Sequence, residues 1–269
     1  MEDEVSFWGK LKHDNIVKAF IWFEDIEKHG HNKSYLMMQF ADLGQIADYD
    51  EALKTYIANP RVIDFLTRKL TEELEFVEYG ADTCASMRER IARFIFSQVA
   101  SGIEYLHDVA LVANRDLKPD NILFTTKQGG TNCYSHDRAQ ITDFTTAFKL
   151  HHSTADIVKI SSKQGSPGFL APEVVTQMEY RPRPLDVWAL GVCMYCFVYE
   201  KMPFWGETEP EILQVIANQD LILDDSVEVS DSFKTTLRAL LNKDPDQRPT
   251  MSEARANFEW LQRPEFPSE

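Results

Sequence analysis

The run DVWALGVCMYCFVYE, Asp186–Glu200, constrains the fold of this chain most. From Val187 to Tyr199 no residue is charged, and apolar side chains fall on every face of a helix drawn through the run. A helix that is apolar all round has to be covered all round. It is too short to cross a membrane, which takes about 20 apolar residues. The expectation is therefore a central helix wrapped by other helices. Cys193 and Cys196 form a C-x-x-C inside this run, with no second pair and no flanking histidine. Core packing explains them better than zinc or redox chemistry. With Cys84 and Cys133 they make four scattered thiols in 269 residues, which suits a reducing compartment rather than a disulfide scaffold.

The rest of the chain supplies the wrapping. Val5, Trp8 and Leu11 space out a short helix over roughly 3–11. IVKAFIWFED and KSYLMMQF, either side of the polar IEKHGHN, read as strand, turn and strand. Residues 42–86 are acidic, helix-favouring and without strand signals. Within them Val62, Ile63, Leu66, Leu70 and Leu74 recur at helical spacing. This segment reads as a helical insertion, either a solvated lid helix or a partner site. RIARFIFSQVASGIEYLH is a strongly apolar helix, and NILF and QITDF are short strands around a Gly-Gly loop. Three helices near 211–218, 232–241 and 251–261 close the chain. At 43% hydrophobic, the sequence is apolar enough for one large domain or two lobes. The class is α+β, with strands gathered early and a large helical lobe after them.

A net charge of −15 argues against a nucleic-acid binder or an anionic-membrane binder, either of which needs a basic field. It fits plain solubility, or a protein that handles basic partners or metal ions. No stretch reaches the length of a membrane span, and MEDEVSFWGK lacks the basic start and apolar middle of a signal peptide. A cytoplasmic location is expected.

The chemistry concentrates in VANRDLKPDNILF, Val112–Phe124. Asp116 lies on a loop, Lys118 can reach the same space, and Asn121 stands at the mouth of a strand. In an antiparallel hairpin the end of the second strand lies beside the start of the first, so Asp143 and Asn121 can converge. A carboxylate and an amide oxygen suit Mg²⁺, which keeps waters and shares phosphate oxygens. A second carboxylate and a lysine alongside complete what phosphoryl transfer needs.

NRDLKPDN, TDFT, SPGFLAPE, DVWALG and DPDQRPT, in this order, resemble the motifs of eukaryotic protein kinases. LDVWALGVCMYCFVYEKMPF and LKHDNIVK are most similar to the calcium/calmodulin-dependent protein kinase kinases. The resemblance implies a bilobal protein-kinase-like fold. A partial N-lobe would occupy 1–41, the hinge and acidic insertion 42–86, the helical C-lobe 87–262 and a short tail 263–269. It implies a Ser/Thr kinase that uses ATP and Mg²⁺ on a protein substrate, with a calmodulin-type regulator as a further possible partner. Asp116 would be the catalytic base, Lys118 would hold the γ-phosphate, and Asn121 and Asp143 would coordinate Mg²⁺. Met38 would guard the adenine pocket, and Gln39, Phe40 and Ala41 would form the hinge. Ser166 would bond Asp116 and Lys118, and Asp186 would accept from the catalytic-loop backbone. Glu173 and Arg248 would form a buried pair. Arg115 suggests control by a phosphate in the segment 151–164, with Ser153, Thr154, Ser161 and Ser162 as candidate acceptors.

Three departures bear on activity. Glu4 aligns with the helix glutamate that pairs a strand lysine, yet no earlier lysine and no G-x-G-x-x-G occurs in the chain. The expectation is an N-terminally truncated kinase with one helix and two strands in its small lobe, and little activity in this polypeptide by itself. Asn114 stands where the family has histidine, and it needs hydrogen-bond partners. Thr145 replaces the glycine of D-F-G and restricts the backbone beside Asp143. These departures keep a second reading open, a pseudokinase or regulatory protein-binding module.

Overall fold

A computed structural model describes residues 7–26, 32–74, 84–127, 137–150 and 159–262. The expected first hairpin is present: β1 (Ala19–Ile26) runs antiparallel to β2 (Asn32–Met38). Phe20, Ile21, Phe23, Tyr35 and Met37 on it are 44–57% exposed. The chain just before β1 is tied to the main body. Val17 N donates to Ile141 O and Ile141 N to Asn15 O, both at 2.9 Å. Trp8 and Leu11 are buried, as their spacing requires. Val5 and Glu4 lie outside the described residues.

The segment expected to be helical and free of strands carries three strands. They are β3 (Gly44–Gln45), β4 (Ala47–Asp50) and β5 (Thr55–Ala58). β4 and β5 form a hairpin whose turn is built by Asp50, with Oδ1 accepting from Ala52 N and Leu53 N at 2.8 Å. The acidity that suggested helix belongs to the outer face: Asp48 and Glu51 are exposed, while Ile46, Ala47, Tyr56 and Ala58 point inward. The helix that follows, α1 (Pro60–Leu74), is not a solvated lid. Val62 and Leu66 are fully buried and Leu70 nearly so, which makes one face of α1 part of the core. Leu74's side chain is outside the described residues.

The helical lobe follows the apolar pattern closely. Ser86 caps α2 (Met87–Glu104) by accepting from Glu89 N. The helix loosens into a π-helical turn over Tyr105–Ala110 and stops at Leu111, which is left-handed at φ 56°. Then come β6 (Val112–Ala113), β7 (Ile122–Thr125), β8 (Arg138–Ile141) and β9 (Phe148–Lys149). β7 pairs with both β3 and β8, and β6 with β9. The remaining helices are α3 (Pro172–Thr176), α4 (Arg183–Tyr199), α5 (Glu209–Asn218), α6 (Asp231–Leu240) and α7 (Met251–Asn257). In α4 every residue from Leu185 to Tyr199 is buried, packed by α2, α6 and β5. Cys193 and Cys196 are fully buried free thiols in this helix, and burial pushes both up. Among the described residues no helix is long and apolar enough to cross a membrane.

Three buried charged side chains brace this lobe. Glu89 accepts from Ser230 N at 2.8 Å and from Trp260 Nε1 at 3.0 Å, tying α2 to the start of α6 and to the chain after α7. Arg248 and Glu173 form the expected buried pair, bidentate at 2.7 and 3.0 Å. Arg248 also lies over the Trp188 ring, 5.1 Å from its centroid.

Candidate active site

The loop Ala113–Asn121 is held from below by α4. Asp186, fully buried at its first turn, accepts from Asn114 N, Arg115 N and His107 Nε2, each at 2.8 Å. Those bonds fix the left-handed turn at Arg115, φ 69°. The loop is also held from the side: Tyr56 on β5 donates to Asp120 Oδ2 at 2.6 Å. Burial, then this bond, pushes the Tyr56 hydroxyl far up, so it remains a donor. The sequence reading missed Tyr56. Its signal was the β-branched and aromatic triplet TYI, overlooked inside an acidic stretch.

On this base Asp116, Lys118, Asn121 and Ser166 meet. Asp116 Oδ1 accepts from Ser166 N at 2.8 Å and from Ser166 Oγ at 2.9 Å. Lys118 Nζ donates to Ser166 Oγ at 3.0 Å and lies 3.4 Å from Asp116 Oδ2. Asn121 Nδ2 donates to Asp116 O at 2.9 Å and reaches Asp116 Oδ2 at 3.4 Å. Asn121 therefore spends its amide hydrogens on Asp116 and keeps its carbonyl oxygen for another partner.

Asp143 arrives from β8. Thr142 N donates to Asn121 O at 2.9 Å, so the hairpin brings Asp143 to the mouth of the strand that Asn121 begins. Asp143 is left-handed at φ 60°, and its Oδ1 accepts from Thr145 N at 3.0 Å and Thr145 Oγ1 at 2.6 Å. Restriction of the backbone was the expected effect of Thr145; the structure adds a hydroxyl placed directly on the carboxylate. Asn114 is buried with both ends of its amide used. Nδ2 donates to Asp143 O at 3.0 Å, and Oδ1 accepts from Asp116 N at 3.1 Å. Thr146 Oγ1 donates to Asn114 O at 2.9 Å. The departure from histidine is thus a polar link between the two acid-bearing turns.

The donor set left free is one oxygen on Asp143 and one on Asn121. Among the described residues no group of three or more His, Cys, Asp or Glu forms a metal cage. Two hard oxygens fit an ion such as Mg²⁺ that keeps waters and shares phosphate ligands.

The other predicted residues fall around this centre. Gln39 N donates to Lys18 O at 2.8 Å, and its buried side chain donates to Gln140 Oε1 at 2.7 Å. Met38 and Phe40 on either side are exposed, and Ala41 is half-buried. Thr142 Oγ1 lies 3.7 Å from Met38 Sδ, one residue before Asp143. Arg115 reaches the segment ahead of Ser166, donating to Thr146 O at 2.6 Å, Ser162 Oγ at 3.0 Å and Gln164 Oε1 at 2.6 Å. Gly165 makes that approach possible. Its φ is 113°, and a Cβ there would lie 2.6 Å from Arg115 O. Ser153 and Thr154 lie outside the described residues, as do Glu4 and Cys133.

The family described as Protein kinase domain matches residues 1–261. The chain belongs to the protein kinase domain family. Its relatives include serine/threonine-protein kinase 33 of Bos taurus, 28% identical over 97% of this chain and 46% of the relative. Serine/threonine-protein kinase ssp1 of Schizosaccharomyces pombe is 33% identical over 61% of this chain and 25% of the relative. Calcium/calmodulin-dependent protein kinase type 1B of Rattus norvegicus is 27% identical over 94% and 60% respectively. This kinase domain therefore spans a quarter to three-fifths of the length of these relatives. The α+β architecture, with early strands and a mainly helical remainder, is that of the family.

Proposed function

We propose that this kinase domain serves an ATP-dependent protein serine/threonine kinase. The observation that carries the reading is the joint seat of Asp116, Lys118 and Ser166, with Ser166 Oγ bonded to both of the others. An acceptor hydroxyl placed at Asp116 gives its proton to that carboxylate as its oxygen attacks the γ-phosphorus. The bond to the departing ADP oxygen breaks, and Lys118 offsets charge on the transferred group. Mg²⁺, held by Asn121 and Asp143, would supply charge neutralisation on the phosphates. Asp186 and Asn114 fix the loop before substrate arrives, so little reorganisation remains for the reaction itself.

Resemblance to the calcium/calmodulin-dependent kinase kinases, and the relative named as calcium/calmodulin-dependent, support a calmodulin-type regulator as partner. The hinge Gln39–Ala41 would meet adenine through backbone groups, with Met38 guarding the back of the pocket. Ser161 and Ser162 are the candidates for a regulatory phosphate among the described residues, and Ser162 is the one bonded to Arg115. One observation favours the non-catalytic reading, namely the Thr145 hydroxyl on the Asp143 carboxylate. Phosphotransfer from ATP to a protein acceptor, assayed with the protein expressed from its whole reading frame, separates the two. Transfer that Asp143→Ala abolishes supports the kinase; binding functions that survive with no transfer support the module.

A further inference from the structure

From Met202 to Phe233 the sequence holds eight acids and no lysine or arginine. Glu207, Glu209, Glu211 and Asp220 in this stretch are exposed. Glu211 lines a groove of about 490 Å³ with Trp205, Gly206, Gln214, Val215 and Asn218, and Glu207 and Asp220 directly follow its lining residues Gly206 and Gln219 in the chain. The groove has a fixed wall. Phe204 is buried and stacked on Trp188, ring centroids 5.4 Å apart, while the next residue, Trp205, stays 40% exposed. Its floor is tight: a Cβ on Gly206 would lie 2.7 Å from Ile212 N, so the loop rests on the first turn of α5. Glu211 closes that turn by accepting from Glu207 N at 2.9 Å.

The position matters as much as the shape. α5 packs against α3 and against the turn Pro167–Phe169, which directly follows Ser166. Gly168 in that turn approaches Met202, where an added Cβ would sit 2.7 Å from its Cε. The groove therefore belongs to the element that braces the seat of the acceptor hydroxyl. An exposed tryptophan in a concave, acid-rimmed site has the composition of a protein-binding hot spot. The acidic field repels nucleic acid and anionic lipid and attracts a basic chain.

We infer that this groove docks a basic segment of the phosphoacceptor protein. An apolar side chain lies between Trp205 and Val215, and Lys or Arg side chains face Glu207, Glu209 and Glu211. The inference rests on the kinase reading and extends it from the reacting hydroxyl to the class of substrate.

The test is fluorescence anisotropy on the whole protein with a fluorescein-labelled ten-residue peptide of alternating Arg and Leu. The peptide lacks Ser and Thr, so docking is read apart from transfer. The Arg peptide binds, more weakly as salt rises, and the matching Glu peptide does not. Trp205→Ala and the double variant Glu207→Lys, Glu209→Lys each weaken binding by about tenfold or more. The glutamates are exposed, so the double variant remains informative if Trp205→Ala does not fold. Equal affinity in parent and double variant overturns the inference. So does equal binding of the Glu peptide, no binding at millimolar Arg peptide, or a self-associated protein that Trp205→Ala turns monomeric. Phosphotransfer is scored separately through Asp116→Asn. Its absence, with the peptide titration as described, contradicts the kinase reading while supporting a docking site for basic segments.

Discussion

Asn114 Nδ2 donates to Asp143 O at 3.0 Å while its Oδ1 accepts from Asp116 N at 3.1 Å. One buried amide thus links the turn carrying the candidate base to the turn carrying the candidate metal carboxylate. Asn114→Ala would strand both backbone groups in a buried site. The expected cost is about 1–3 kcal/mol of stability, measured as a shift of the urea midpoint at unchanged slope. Asn114→Ala with parental stability would mean the link carries nothing.

Thr145 acts on the same carboxylate from the other side. Its hydroxyl takes a lone pair on Asp143 Oδ1 that a metal could use. Thr145→Ala keeps the backbone bond and frees that lone pair. The Mg²⁺ concentration for half-maximal binding of a fluorescent ATP analogue is expected to fall several-fold in Thr145→Ala and to stay at the parental value in Thr145→Ser. An unchanged Mg²⁺ requirement in Thr145→Ala would contradict the competition.

The Arg248–Glu173 pair is buried at both ends, with side-chain exposure of 0% and 1%. Glu173→Ala leaves a guanidinium in the core with its carboxylate partner gone. A loss of about 3–5 kcal/mol is expected, read from equilibrium unfolding. A loss below about 1 kcal/mol, the range of an exposed pair, would count against the bracing role.

His13 is held low, chiefly by burial; Asp14 opposes this, and Arg255 and Arg138 reinforce it. Its ring stacks on Tyr105 at 4.8 Å, and its Nδ1 accepts from Asn15 N at 3.1 Å. The folded state binds the proton less readily than the unfolded chain. His13 therefore favours folding above its ordinary value of 6.5, and that contribution declines as pH falls below it. The stability difference between parent and His13→Asn is expected to move against the parent between pH 7 and pH 5. A difference that is flat over this range would show that His13 titrates alike in both states.

What the sequence made legible follows from range. α4 is apolar on every face, so its burial needed no partner to be named. Asp116, Lys118 and Asn121 lie within six residues, and the β7–β8 hairpin carries Asp143 to them. β3 escaped notice because it is two residues long and its partner, β7, is nearly eighty residues on. β4 and β5 escaped because Asp48, Asp50 and Glu51 were weighed as composition, whereas Asp50 is a turn builder. The burial of α1 was missed for the same reason: Arg68 and Glu72 face outward, Val62 and Leu66 inward. The link made by Asn114 depends on atoms twenty-nine residues apart, and no local pattern announces it.

The central claim is that Asp116 takes the proton of an acceptor hydroxyl as phosphate is transferred. The most direct measurement is transfer of labelled γ-phosphate from Mg·ATP to a basic protein acceptor, comparing the protein expressed from its whole reading frame, as parent, with the same protein carrying Asp116→Asn. The isosteric change preserves the bonds to Ser166 and Asn121 in outline but removes the base. The account predicts label on serine or threonine, a fall in kcat of about 100-fold or more in the variant, and similar nucleotide affinity in both proteins. Equal kcat in the two proteins, or no transfer by the parent, would contradict it.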